Sequence, residues 1–162
     1  MTPAVTYFED VKIGDSDFTP AMTLTEAHAA LYRGLNGENP DGPGSIPDLL
    51  PLCLATGLGW RTERPPLAVL AFMSFDWKIH RELRVGDTIH GRARVALKRS
   101  MREGGVIIED HELVDQHGAV AQAGRFTFLV AKRTGGSDRR PGGSDRPGGP
   151  GVTASNSGGQ TS

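Results

Sequence analysis

Hydrophobic and polar positions divide this chain into distinct regimes. The most apolar stretch, Pro47 to Trp60, reads PDLLPLCLATGLGW and carries a single charge, at Asp48. A helix that is apolar on nearly every side is a buried helix, because a surface helix keeps a polar face. Asp48 is placed to cap its N-terminus, and Pro51 falls in the first turn, where a missing N–H costs little. Gly57 and Gly59 permit close approach and stop the helix before Arg61. The stretch is too short to span a membrane. Cys53, the only cysteine, is read as a small core residue and has no partner for an internal disulfide.

Upstream, TLTEAHAALYRGLNG has helical periodicity, with Ala27, Ala30, Leu31, Gly34 and Leu35 forming one narrow apolar stripe. Thr23 and Glu26 stand at capping-box spacing, Thr25 is a second possible N-cap, and Gly37 suits the C-terminal end. Before it, TYFEDVKIGDSDFTPAM reads as a short strand, a Gly-Asp turn and a second strand toward Phe18; after it, GENPDGPGS is a loop.

Past Pro66 the period changes to two. A long strand runs from Leu67 to Ile79, with aromatic residues at Phe72, Phe75 and Trp77. In the strand from Thr88, Ile89, Ala93, Val95 and Leu97 share one face, and His90, Arg92, Arg94 and Lys98 the other. VIIEDHELVD and AVAQAGRFTFLVAKR follow after short turns, making an antiparallel meander. The economical arrangement is α+β: a curved antiparallel sheet wrapped around its long helix.

From Thr134 the chain turns to Gly, Pro, Ser and a GGSDR repeat with no aromatic residue. Such a segment cannot bury enough apolar surface to offset its ordering entropy, so residues 134–162 are expected to be a disordered tail on a domain of residues 1–133. The formal net charge of −1 gives no electrostatic reason to expect nucleic acid or an anionic membrane as partner. No basic, apolar leader is visible at the N-terminus, so the expected location is the cytoplasm. No histidine pair has metal-ligand spacing on a shared helix and no nucleotide-type glycine cradle occurs, so neither metal nor cofactor is expected.

Taken in order, YFEDVKIGD, TLTEAHAALYRGLNGENP, LLPLCLATGLGW, HRELRVGDTI and VDQHGAVAQAGRFTFLVAKR give the chain a resemblance to the MaoC-like dehydratases and hydratases of the hot-dog superfamily, over nearly all of residues 6–133. The resemblance implies a sheet around a central helix, and a homodimer or a heteromer with another hot-dog chain, sheets joined edge to edge. It also implies acyl thioesters of coenzyme A or a carrier protein as ligands, and reversible addition of water to a 2-enoyl thioester.

The family's motif is Gly-Asp-x-Asn-Pro-x-His, whose Asp and His bind and activate the water. Here the run is Asn36-Gly37-Glu38-Asn39-Pro40-Asp41-Gly42, so the histidine position falls on Gly42 and the aspartate position on Gly37 or, with a one-residue deletion, Glu38. The usual dyad is incomplete. Hydration needs a base for water, an acid for the α-carbon and polarisation of the thioester carbonyl. Glu38 and Asp41 are the acid/base candidates on this loop, with Asn39 shaping it; the competing reading of both carboxylates is solvated loop residues. Backbone N–H groups of Asp48, Leu49 and Leu50 are candidates for polarisation at the helix N-terminus, Gly57 for close approach, and His80 for reaching the pocket from a strand end. Arg61, Arg92, Arg94 and Lys98 are either solvated charges or a landing place for coenzyme A phosphates. His28 reads as solvated or satisfied on its helix; His90, His111 and His117 read as strand-face or turn residues.

Three functions stay open: a hydratase or dehydratase with a modified site, a non-catalytic subunit paired with a competent chain, and a repurposed cyclase or lyase. Deleting everything after Thr134 is expected to leave the melting temperature and any activity unchanged, as checked by thermal denaturation of both chains.

Overall fold

The computed structural model describes residues 4–37 and 42–133. The expectations for Glu38, Asn39 and Asp41, and for the segment from Thr134 onward, lie outside the described residues. At the N-terminus the expected strand is reduced to one bridge between Thr6 and Leu67, and a turn of 3-10 helix follows at Phe8–Asp10. The Asp10 carboxylate accepts the Tyr7 N–H at 3.0 Å, which bends the chain there. Strands β1 (Ser16–Phe18) and β2 (Met22–Thr23) come next.

Helix α1 spans Glu26–Asn36 with Thr25 as its N-cap. The Thr25 hydroxyl accepts from the His28 N–H and His28 Nδ1 accepts from the Thr25 N–H, each at 3.3 Å, so His28 is a capping partner. Gly37, at φ 69°, ends the helix in the left-handed conformation that glycine adopts without strain. The apolar stripe predicted to lie on the core does not: Ala27, Ala30, Leu31, Gly34 and Leu35 are all exposed. The opposite side is anchored instead. Ala29 is buried, Tyr32 packs on the core, and Arg33 donates to the Ser45 carbonyl and hydroxyl at 2.7 Å.

Helix α2 covers Leu50–Leu58 and runs into a 3-10 turn at Gly59–Arg61. Pro51 occupies its first turn as expected, but the cap is Leu49 rather than Asp48, because the Pro47 carbonyl already accepts the Leu50 N–H at 3.0 Å and turns the chain. The helix is also buried on one side only. Leu50, Pro51 and Leu58 are covered, while Cys53, Thr56 and Gly57 are exposed and Trp60 is 76% exposed. Its second apolar side borders a cavity instead of packed side chains.

The long strands are β3 (Val69–Ile79), β4 (Thr88–Ser100), β5 (Gly105–Asp115) and β6 (Val120–Val130). They form a six-stranded antiparallel sheet in the order β1-β4-β5-β6-β3, with β2 also on β4. The predicted meander is β4-β5-β6; β3 crosses over to the far edge. Alternation in β4 holds from Ile89 to Val95 and then fails, because a register shift between Val95 and Leu97 swaps the faces. Leu97 turns out to solvent, and Lys98 turns in to donate to the Val11 carbonyl at 2.7 Å, 4.3 Å from the Phe8 ring centroid.

The core is divided. One cluster gathers Leu24, Ala29, Ile46, Leu50, Leu83, Ile89 and Ala121; the other gathers Phe8, Val11, Val95, Ile107 and Val130. Each buried Leu, Ile, Val or Phe contributes about 1.5–3 kcal/mol. Gly105 makes room for Phe8, since a Cβ there would lie 2.0 Å from its ring. No helix among the described residues is long and apolar enough to cross a membrane.

The β5–β6 turn is held by the buried Asp115 carboxylate, which accepts the His117 and Ala119 N–H groups at 2.8 Å and pairs with Arg81. Burial opposes ionisation, but those two N–H groups and Arg81 outweigh it and hold the carboxyl below the usual aspartate range. The stabilisation is therefore complete above the unfolded pKa of about 4 and is lost as pH falls through the lower folded value. Asp115→Asn is expected to be less stable near neutrality and to show a shallower acid loss than the parent chain, as urea midpoints measured across that range will show.

Candidate functional site

Under α2 lies a cavity of about 560 Å³. Ligand sites typically measure about 300–1,000 Å³ and are mostly apolar with a few placed polar groups. The walls here are aromatic: Phe72, Phe75 and Trp77 from β3, Phe126 and Phe128 from β6. Phe72 and Phe75 are three residues apart and share this face only because β3 has a register shift between Phe72 and Ser74. Phe126 sits at the centre of the cluster, edge-on to Phe72 at 5.6 Å and to Phe75 at 6.2 Å. Trp77 crosses Gly124, where a Cβ would lie 2.1 Å from the Asp76 carbonyl oxygen and 2.4 Å from the indole. Glycine is required at that crossing.

The helix is fixed over the cavity by Gln122, which is only 2% exposed. Its Oε1 accepts the Trp77 Nε1–H at 2.9 Å, and its Nε2 donates to the Asp48 carbonyl at 2.8 Å. The cavity runs along the flank and C-terminal end of α2, past Leu52, Cys53, Ala55 and Thr56, rather than off its leading end.

Three polar groups stand out on the walls. Glu109 and His111 sit two apart on β5 and so share its inner face with Ile107 and Leu113. Glu109 is 8% exposed, its Oε2 lies 3.1 Å from His111 Nε2, and the imidazole stacks on Phe126 at 4.3 Å between ring centres. Arg64, on the linker after α2, lines the same cavity with a buried Nη2 that has no hydrogen-bond partner among the described residues.

The residues singled out in the sequence stand elsewhere. Asp48 is exposed and serves through its carbonyl; Leu49 caps α2; Leu50 packs in the core, with its N–H on Pro47. Gly57 is exposed, and a Cβ at Gly57 or Gly59 would meet nothing within 4 Å, so neither marks a close approach. His80 is exposed and donates its N–H to the Ala121 carbonyl at 2.9 Å. Neither Asp48, Leu49, Leu50, Gly57 nor His80 lines the cavity. Cys53, expected in the core, faces the cavity as a free thiol.

Nor is the basic strand face a free phosphate site. Arg92 Nε donates to Glu112 at 2.6 Å, Arg94 stands opposite Asp110 in register, and Lys98 is held by Val11 and Phe8. Arg61 is exposed in the 3-10 turn. His111, a strand-face residue as its sequence position implies, faces the cavity, and Glu109 stands beside it on the same face. The signal was present: alternation from Ile107 to Leu113 puts two polar residues on an otherwise apolar face.

A buried donor without a partner costs about 1–3 kcal/mol. Arg64→Leu is expected to raise the unfolding free energy by about 1 kcal/mol, the low end because the rest of that side chain is half-exposed. Thermal and urea denaturation of the purified chain check it.

No family sequence model and no curated protein matches the chain. Solved structures do match. A MaoC-like dehydratase from Rhodospirillum rubrum superposes with a TM-score of 0.69 at 15% identity, covering 79% of this chain and 98% of that one. The R-hydratase PhaJ1 from Pseudomonas aeruginosa gives 0.65 at 13% identity, covering 78% and 86%. RV0216 from Mycobacterium tuberculosis, a double hot-dog protein, gives 0.61 at 24% identity, covering 89% of this chain and 52% of that one. The chain has the hot-dog fold, in the form seen in MaoC-like dehydratases and R-hydratases.

Proposed function

We propose that this chain is a MaoC-like hydratase or dehydratase with a modified site, acting on a 2-enoyl or 3-hydroxyacyl thioester of coenzyme A or a carrier protein. The observation that carries this reading is the aromatic-walled cavity under α2, of a size for an acyl chain and with titratable groups on its walls. The names of the solved structures that share the fold support the same chemistry. The backbone N–H groups of Asp48 and Leu49 at the start of α2, expected to polarise the thioester carbonyl, do not line this cavity. The loop carboxylates Glu38 and Asp41, with Asn39 shaping the loop, are one source of acid and base; the cavity's own carboxylate and imidazole are another.

A second reading, a non-catalytic subunit beside a competent hot-dog chain, is favoured by β3. That strand ends the sheet, and beside the cavity-facing Phe72 and Phe75 it leaves Val69, Leu70, Met73 and Ile79 exposed. A free apolar strand edge of this kind calls for a covering strand. Another hot-dog unit, identical or not, supplies one, as RV0216 carries two in one chain.

The two readings separate in one experiment. The purified chain alone is expected to form a homodimer by native mass spectrometry, to bind a saturated acyl-CoA and to hydrate a short 2-enoyl-CoA. Turnover only after a second hot-dog chain is added would select the subunit reading, and absence of thioester binding would reject both.

A further inference from the structure

We propose that His111 is the proton-transferring residue of the cavity and Glu109 its positioning partner, a pair on strand β5 instead of the loop dyad that the family resemblance implies. The inference rests on the acyl-thioester reading and assigns its chemistry. The two side chains divide the labour by depth: the Glu109 side chain is 10% exposed and the His111 side chain 25%. The inner carboxylate is shielded, and the outer imidazole is within reach of a ligand.

Their surroundings are apolar. Glu109 stands opposite Val95 on β4 and Phe126 on β6, a place where hydrophobic side chains would pack without any charge to desolvate. His111 stands opposite Ala93 and Gly124, the latter crossed by the Trp77 indole, while the stack on Phe126 fixes the ring plane. With Nε2–H donated to Glu109, the tautomer leaves Nδ1 as the acceptor, and Nδ1 has no hydrogen bond among the described residues. The other charged residues bordering the cavity are Asp17, Arg64, Arg92 and Glu112, and the side chains of Arg92 and Glu112 pair with each other on the outer face of the sheet.

In hydration, Nδ1 takes a proton from water as the water oxygen bonds to C3 of the enoyl thioester. The C2=C3 π pair moves onto C2 and the thioester carbonyl, giving the enolate. The proton then passes from Nδ1 to C2, forming the C–H bond and restoring the neutral imidazole. One water is added, and dehydration is the same path reversed.

The test compares His111→Gln, Glu109→Gln and Glu38→Gln for folding by circular dichroism, for saturated acyl-CoA binding by calorimetry and for hydration of a short 2-enoyl-CoA. His111→Gln is expected to fold and bind but to lose about 10²–10⁴ in kcat. Glu109→Gln is expected to lose less, to shift the pH profile of kcat, and to be partly rescued by Glu109→Asp. Glu38→Gln, at the alternative source of acid and base, is expected to lose less than His111→Gln. Should His111→Gln not fold, the double variant Glu109→Leu/His111→Phe keeps the wall apolar and the stack on Phe126, and is expected to be folded and inactive. Near-parental turnover in His111→Gln or in the double variant, or the loss falling on Glu38→Gln, overturns the pair and leaves the acyl-thioester reading standing. A parent chain that binds the thioester without turning it over also overturns the pair, and one that binds none sinks both.

Discussion

One buried amide sets the geometry of this molecule. Gln122 accepts from the indole of Trp77 and donates to the carbonyl of Asp48, joining β6, β3 and the approach to α2 through a single side chain. At that depth neither half of the amide can turn to water, so each bond is enforced by the penalty for leaving it unmade. The clamp acts at the leading end of α2. There Leu50 joins the first core cluster and the helix lies close to the sheet. Toward Thr56 and Gly59, Leu58 is buried, but no side-chain hydrogen bond from the sheet among the described residues ties the helix down, and the space beneath stays open. The place of the cavity is thus a consequence of where the helix is tied.

Around that cavity lie features that packing alone does not call for. A carboxylate sits among aromatic rings, an imidazole is stacked beside it, and an arginine nitrogen is buried without a partner. They line one space, and the arginine nitrogen is left without a hydrogen bond among the described residues. Polar groups concentrated against an apolar wall are the usual mark of a site where stability has been given up for chemistry. The buried members of the two core clusters lie outside this lining.

Much of the architecture was legible in the sequence, because strands with one covered face print their alternation directly. The meander from Thr88 onward, the caps at Thr25 and Gly37 and the turns at Gly86 and Gly118 all follow from local rules. What the pattern could not show was a change of face within a strand. The shift beyond Val95 turned Leu97 out and Lys98 in, and the shift beyond Phe72 brought Phe75 into the aromatic wall. Hydropathy also does not distinguish a surface that meets the core from one that meets a cavity or solvent, so the length of apolar sequence in α2 overstated its burial, and the stripe on α1 pointed away from the core. Glu38 and its neighbours drew attention through the family motif, whereas His111 needed only the register of its own strand.

The outer face of the sheet has a consequence of its own. Arg92 with Glu112 and Arg125 with Asp110 lay opposite charges side by side across β4, β5 and β6, each pair half in water. Another protein laid flat on this lattice would have to dehydrate ions that already neutralise one another, and would gain little in return. Stacking plate on plate against this face is therefore discouraged.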